Sequence, residues 1–383
     1  MSRQLHNFDP ENFIRQYWHK KPALMKQAFP NFESPITPEE LAGLACESDV
    51  HSRLVIEKDG TAPWQVKYGP FDEKIFQSLP ETHYSLLVSE CEKWIPELAA
   101  LLEQFRFIPM WRVDDLMVSF APAGGSVGPH SDEYDVFLLQ AYGRRKWQYT
   151  NDRVQNPALL PDLDLAIMRD FSFDQESILE PGDMLYLPPG IAHHGIAIEP
   201  CMTISVGFRA PTASEVLESY LLEIDRLNLG AIRYADPELK LDRHFGEICN
   251  IEIEHFKSLA LSLLDQPDNL WRDTVGKLLS DTTIVEQNES DDVTSLDDIV
   301  NRHWIINPDT KMLYYRSDTS VMFYCNGRVF ELPHSDQVID CIQNLCENRC
   351  LTLKLTDACR GNKALASLVC ELVTMSAFIH ANE

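Results

Sequence analysis

The sequence predicts an α+β protein: helices toward both ends of the chain, around a central block of short strands that closes into a sandwich or barrel. Three observations carry that expectation. From about 105 to 209 the chain falls into short apolar runs broken by glycine and proline, such as "LMVSFAPAGG", "YDVFLLQAYG", "RRKWQYT", "SILEPGDMLYLPPG" and "MTISVGFRAP", the texture of a β-sandwich or barrel. On either side of this block, apolar residues recur at helical spacing behind residues that cap helices. At 383 residues the chain is also longer than one ordinary core, which makes two or three domains the expectation.

The elements follow in order. Asp9 caps a first helix, Pro10 suits its first turn, and Phe13, Ile14, Tyr17 and Trp18 give it an apolar face. After the strand block and Pro211, Thr212 and Glu215 make a capping box. Val216, Tyr220, Ile224 and Leu227 form the stripe of the helix that follows, with Gly230 as its C-terminal cap. Helical spacing returns near 251–264 and 269–279, before a polar, acidic stretch, "EQNESDDVTSLDD", that reads as a linker or an exposed helix start. Beyond it, "SVMFYCNGRVFEL" is a hairpin turning on Asn326-Gly327. A helix over 336–346, a strand "LTLKL" and a final helix over 363–379 complete a winged-helix-like order.

Composition narrows the functional classes. With 33 basic against 59 acidic residues the formal charge is −26, a field that repels nucleic acid and attracts basic partners. No run approaches the roughly 20 apolar residues of a membrane span, and "MSRQLHNFDPENF" has no signal-peptide core, so a cytoplasmic protein is expected. The ten cysteines are scattered without a C-x-x-C, and the spacing of Cys341, Cys346 and Cys350 fits no zinc pattern. They read as small core residues of a reduced protein.

Chemistry concentrates in the strand block. Residues two apart share a face of a strand, so His130 and Asp132 project together. A third donor comes from "PGDMLYLPPGIAHHG", where a turn and a strand lead to His193 or His194. Two imidazoles and one carboxylate on one face of a metal leave its other positions open, the arrangement of non-heme Fe(II) oxygenases. Arg144 and Arg145 follow a glycine turn, and alternation sends one inward and the other to solvent. A guanidinium inside a small barrel is costly unless it meets an anion, and a dicarboxylate such as 2-oxoglutarate supplies one. Tyr134 and Asp135, just past the metal pair, are candidates for seating a cationic substrate group, with barrel packing the plainer role for Tyr134.

"YWHKKPALMKQAF", "DDLMVSFAPAGGSVGPHSDEYDVFLLQAYGRRKWQY" and "PGDMLYLPPGIAHHGIAIEPCMTISVGFRAP" together resemble the bacterial ribosomal oxygenases of the JmjC/cupin group, over nearly the whole chain. The resemblance implies a double-stranded β-helix (jelly-roll, JmjC-type) core. It implies N-terminal helices plus that catalytic domain over 1–210, a helical dimerisation region over 211–282 and a winged-helix-like domain over 283–383. It aligns His130, Asp132 and His193 with the metal ligands, His193-His194-Gly195 standing where the family has histidine, an acidic residue and glycine. It places the basic 2-oxoglutarate anchor on Arg145 and a polar cosubstrate contact on Ser119, which shares its face with Met117. The implied activity is Fe(II)- and 2-oxoglutarate-dependent hydroxylation of an arginine of large-subunit ribosomal protein sixteen, a basic partner suited to an acidic enzyme. A homodimer is expected, with no DNA or membrane partner. Rival readings are hydroxylation of a histidine of another ribosomal protein, lysine demethylation, and a non-enzymatic cupin regulator; intact metal and anchor residues weigh against the last.

Overall fold

The computed structural model describes residues 5–6, 8–57, 64–237, 239, 244, 246–282, 299, 304–348, 351 and 353–380. The chain divides into two compact units, Met1–Ala210 and Pro211–Glu383. In the first, α1 (Pro10–Gln16), β1 (Ala23–Met25), α2 (Pro38–Leu44), β2 (Ser52–Glu57), β3 (Trp64–Tyr68), α3 (Glu73–Gln77), β4 (Tyr84–Val88) and α4 (Pro96–Leu102) precede the strand block. As expected, Asp9 caps α1, its side chain accepting the Asn12 N–H, with Pro10 in the first turn. The block itself is β5 (Val113–Ala121), β6 (His130–Ser131), β7 (Asp135–Tyr142), β8 (Arg145–Arg153), β9 (Gln175–Leu179), β10 (Met184–Leu187), β11 (Ile191–Ala197) and β12 (Cys201–Phe208).

These strands form an antiparallel eight-stranded sheet, β1-β10-β7-β12-β5-β4-β2-β3, and a four-stranded sheet, β6-β11-β8-β9. From β5 to β12 the chain passes back and forth between the two, which is the winding of the double-stranded β-helix. β7 is buried along its length up to Tyr142 because both of its faces are covered. Phe137 and Leu139 pack outward into the aromatic-rich core shared with α1, α2 and α4. Val136 and Leu138 pack inward, against Trp147, Tyr149 and Leu187. Strict alternation in a strand packed on both sides produces this division.

The second unit holds α5 (Ala213–Arg226), α6 (Asn250–Leu264) and α7 (Asp268–Ser280), then β13 (Trp304–Ile306), β14 (Met312–Arg316), β15 (Ser320–Cys325) and β16 (Arg328–Pro333), then α8 (Asp336–Asn348), α9 (Leu353–Arg360), α10 (Lys363–Thr374) and β17 (Phe378–His380). The Thr212–Glu215 capping box forms. The hairpin turns on Asn326 and Gly327, at φ 49° and 71°, the left-handed pair that such a turn requires. Tyr220 stacks on Trp271 at 3.7 Å and joins Ile224 and Leu270 in a small core. Among the described residues, no helix is long and apolar enough to cross a membrane.

Three expectations for this unit are corrected. α5 ends at Arg226, and Asn228 (φ 56°) takes the left-handed position assigned to Gly230. The run expected as the strand "LTLKL" is helical from Leu353, because five residues are too few for periodicity to separate strand from helix. The last helix stops at Thr374; Ser376 turns the chain at φ 57°, and Phe378–His380 pairs with Trp304–Ile306, a partner far away in sequence. The acidic linker lies outside the described residues, as does Cys350; Cys341 is buried and Cys346 half-buried.

Candidate metal centre

His130 on β6 pairs directly across the ladder with His193 on β11, and Asp132 lies just past the end of β6. The Gly190 N–H donates to the Asp132 carbonyl at 2.7 Å, which ties the two segments together. The donor atoms of the three side chains lie within 4.8 Å of one another. His130 Nε2 is 3.8 Å from Asp132 Oδ1, and His193 Nε2 is 3.6 Å from Oδ2. Each ring is held from behind: His130 Nδ1 faces the Gly128 carbonyl at 2.9 Å and His193 Nδ1 that of Ile191 at 3.0 Å. A carbonyl can only accept, so each proton sits on Nδ1 and each Nε2 lone pair faces the carboxylate, which is how metal-binding imidazoles are oriented. Burial, and then neighbouring His130, push His193 down to about 4, keeping it in the neutral form a metal needs.

His194 faces the other side of the strand. It pairs opposite Gln148 and meets the Phe171 ring edge-on at 5.9 Å. The same alternation separates the two arginines. Arg144 is half-exposed and holds Glu199 at 3.0 Å, whereas Arg145 is buried to 3% exposure. Arg145 lies over the Trp147 ring at 5.1 Å, and its Nη2 donates to the Gly195 carbonyl at 3.2 Å. Gly195 makes this stack possible, since a Cβ there would lie 2.7 Å from both Arg145 Nε and the Trp147 ring. The glycine of His193-His194-Gly195 is thus explained by the arginine beneath it.

His130, Asp132, His193, Arg145 and Trp147 line one cavity of about 290 Å³, whose walls include Ser119, Tyr134, Thr203 and Ser205. Arg145 Nε and Trp147 Nε1, both buried, find no acceptor among the described residues. A buried guanidinium without an anion is among the costliest arrangements a protein can hold. The residues therefore fit two absent groups: a transition metal on the His130–Asp132–His193 donor set, and a carboxylate ligand reaching Arg145.

Asp135 is corrected. Alternation along β7 turns it away from Tyr134 and the cavity. It is fully buried on the outer face, where it accepts from Arg112 Nη2 at 2.9 Å and from the Tyr186 hydroxyl at 2.5 Å and meets His19 Nε2 at 2.9 Å. Its charge is answered by these partners, on the face away from the cavity. Sequence reasoning also missed Arg53, from β2, and the 164–167 segment, all of which line the cavity. Strand β2 carries no motif, and the segment reaches the cavity only by folding back. A second groove, of about 680 Å³, shares Arg53, Met117, Tyr134 and Ser205 with the cavity and carries Glu90, Asp114 and Asp115.

The JmjC domain family matches residues 100–216, the stretch holding every one of these cavity residues except Arg53 and Leu87. The ribosomal protein uL16 3-hydroxylase of Escherichia coli (strain K12) is 41% identical over 269 residues, 70% of each chain. The chain belongs to the JmjC-domain ribosomal oxygenases. A probable ribosomal oxygenase of Haemophilus influenzae is 34% identical over 83% of this oxygenase and 81% of its own length. Among solved structures, the E. coli ribosomal oxygenase YcfD in complex with cobalt and 2-oxoglutarate superposes with a TM-score of 0.83 at 33% identity, covering 99% of both chains. The same E. coli protein in complex with cobalt and succinic acid also gives 0.83.

Proposed function

We propose that this oxygenase uses Fe(II) and 2-oxoglutarate to hydroxylate an arginine side chain of a basic large-subunit ribosomal protein. One observation carries the reading: a two-imidazole, one-carboxylate donor set shares a cavity with a buried guanidinium that meets no anion among the described residues. His130, Asp132 and His193 are the metal ligands in this reading, and Arg145 is the anchor for the far carboxylate of the cosubstrate. Ser119, buried with its hydroxyl 3.4 Å from the Thr203 carbonyl, contributes a polar wall beside it. When bound, the iron would activate dioxygen as 2-oxoglutarate is decarboxylated to succinate and carbon dioxide, one oxygen atom going to the succinate and the other into a substrate C–H bond.

The chain's own residues orient and exclude. The Gly128 and Ile191 carbonyls hold the two rings with Nε2 toward the centre. Trp147 and the inward apolar residues of β7 keep water from Arg145, which strengthens its hold on a carboxylate. The acidic groove suits a cationic side chain, and burial followed by Asp114 raises Asp115 to about 6, so it is ionised at neutral pH. This favours an arginine target over a histidine, which is mostly neutral there. A net charge of −26 speeds encounter with a basic protein.

The reading includes a homodimer formed through the helices of 212–280, supported by exposed Leu222 (67%), Ile251 (56%) and Phe256 (54%), more apolar surface than solvated helices carry. It also includes a winged-helix-like domain over 283–383, supported by the three-stranded sheet and helices of that region packing around a core of their own. Intact-mass spectrometry of ribosomal proteins from cells with and without the enzyme tests the activity. One large-subunit protein should gain a single oxygen on an arginine, and no gain on any of them overturns the reading.

A further inference from the structure

The cavity wall that sequence reasoning missed touches the metal centre's own support. Residues 158–169 double back on themselves: Leu159 bridges Met168, the Leu160 N–H donates to the Ile167 carbonyl at 2.9 Å, and the Arg169 N–H donates to that of Ala158 at 2.8 Å. The inner side of this loop, Asp164 to Ile167, lines the cavity. Its base is anchored in apolar packing, where Ile167 is 2% exposed and clusters with Val55, Trp64 and Leu87. Its outer end is held differently. The hydroxyl of Tyr68 on β3 donates to Asp164 Oδ2 at 3.0 Å, and Tyr68 is 57% exposed. A hydrogen bond made in water is weak and easily exchanged, so the loop has a firm base and a releasable tip.

That base lies against the segment that orients His130. The Met168 N–H donates to the Pro129 carbonyl at 2.8 Å. Ile167 packs on Gly128, where an added Cβ would lie 3.0 Å from the isoleucine side chain. Gly128 is at φ +81°, and its carbonyl accepts from His130 Nδ1. A backbone in this left-handed region needs outside support to stay fixed, and Ile167 with Met168 supplies it. We propose that Ile167 is a positioning residue for the metal centre, acting through Gly128–Pro129 on His130, and that the Tyr68–Asp164 hydrogen bond latches the loop in that supporting position. Ligand passage that lifts the loop tip would thereby loosen the imidazole, and closure would restore it. The inference rests on the proposed metal reading of His130, Asp132 and His193.

Cobalt(II) titration of the full chain tests it, read by the dissociation constant and by the visible absorption of bound cobalt, alongside hydrogen exchange of the 158–169 amides. Ile167→Ala should weaken cobalt about tenfold, the scale of losing support behind a metal ligand, and shift the absorption band. Ile167→Val, which keeps the β-branch, should return affinity to within about twofold of wild type. Tyr68→Phe should leave the melting temperature unchanged while speeding exchange of the Met168 amide and weakening cobalt in the same direction. Wild-type affinity and spectrum in Ile167→Ala overturn the proposal, as does unchanged Met168 exchange in Tyr68→Phe. Should Ile167→Ala fail to fold, Tyr68→Phe and Asp164→Asn decide by the same readouts. Wild-type protein that takes up no cobalt sinks the metal reading itself, so the two failures are distinguishable.

Discussion

Strand β7 separates two buried charged clusters, and they differ in one respect. On its outer face Asp135 is surrounded by Arg112, His19 and Tyr186, so its charge is answered within the chain. On the inner side Arg145 has a tryptophan beneath it, one carbonyl, and an Nε with no partner among the described residues. Asp135 and Arg145 are both buried, at 0% and 3% exposure. Burial therefore does not mark the functional site; unsatisfied burial does. A completed network stabilises the fold, while an incomplete one holds a place for a ligand.

The largest effect that sharpens this contrast lies at the donor set. His130→Ala and Asp132→Ala should each lower 2-oxoglutarate turnover by at least about a hundredfold while leaving the circular dichroism spectrum unchanged. Full activity in either removes the metal assignment. Next comes an exchange of roles between the two clusters. Arg145→Met should raise the KM for 2-oxoglutarate on the order of a hundredfold, the worth of a charge-assisted pair in a dry site, with a melting temperature equal to or above wild type. Asp135→Ala should do the reverse, costing about 3–5 kcal/mol in urea unfolding by stranding Arg112 and moving that KM little. If both variants lose stability alike, the distinction between complete and incomplete networks fails.

A smaller effect concerns pH. Burial, then Asp114, raises Asp115 to about 6. Its folded-state value lies above the ordinary one, so its contribution to stability is full at pH below the normal aspartate range and is lost as pH rises through about 6. Asp115→Asn should accordingly unfold at a higher temperature than wild type at pH 8, with the difference gone at pH 4. The same substitution should flatten the rise in KM for a basic peptide substrate that wild type shows as pH falls through 6. The smallest effect on chemistry is expected from the apolar helices of the second unit. Leu222→Glu should give a monomer by light scattering with 2-oxoglutarate turnover retained.

The legibility of the site tracks the range of the physics. His130 and Asp132 were readable because strand alternation is local, and the same rule separates Arg144 from Arg145 and His193 from His194. Applied one residue further it also excludes Asp135 from the cavity, a step the reading of Asp135 as a substrate contact overlooked. Arg53 and the 164–167 segment left no trace, since neither lies on a strand of the central motif. The C-terminal errors have a similar origin. "LTLKL" is too short for periodicity, and β17 exists only because Trp304–Ile306 offers it an edge.

What the amino-acid sequence determined on its own was the strand-rich core, the capped helices, the hairpin at Asn326-Gly327 and the pairing of His130 with Asp132 as candidate metal ligands. Each follows from interactions between residues close together in the chain. Only tertiary structure decided that Gly195 clears space for the Arg145–Trp147 stack, that Asp135 is consumed by Arg112, and that Ile167 braces Gly128. Those outcomes depend on which surfaces meet after the two sheets close, and no local pattern encodes contacts between segments brought together by that closure.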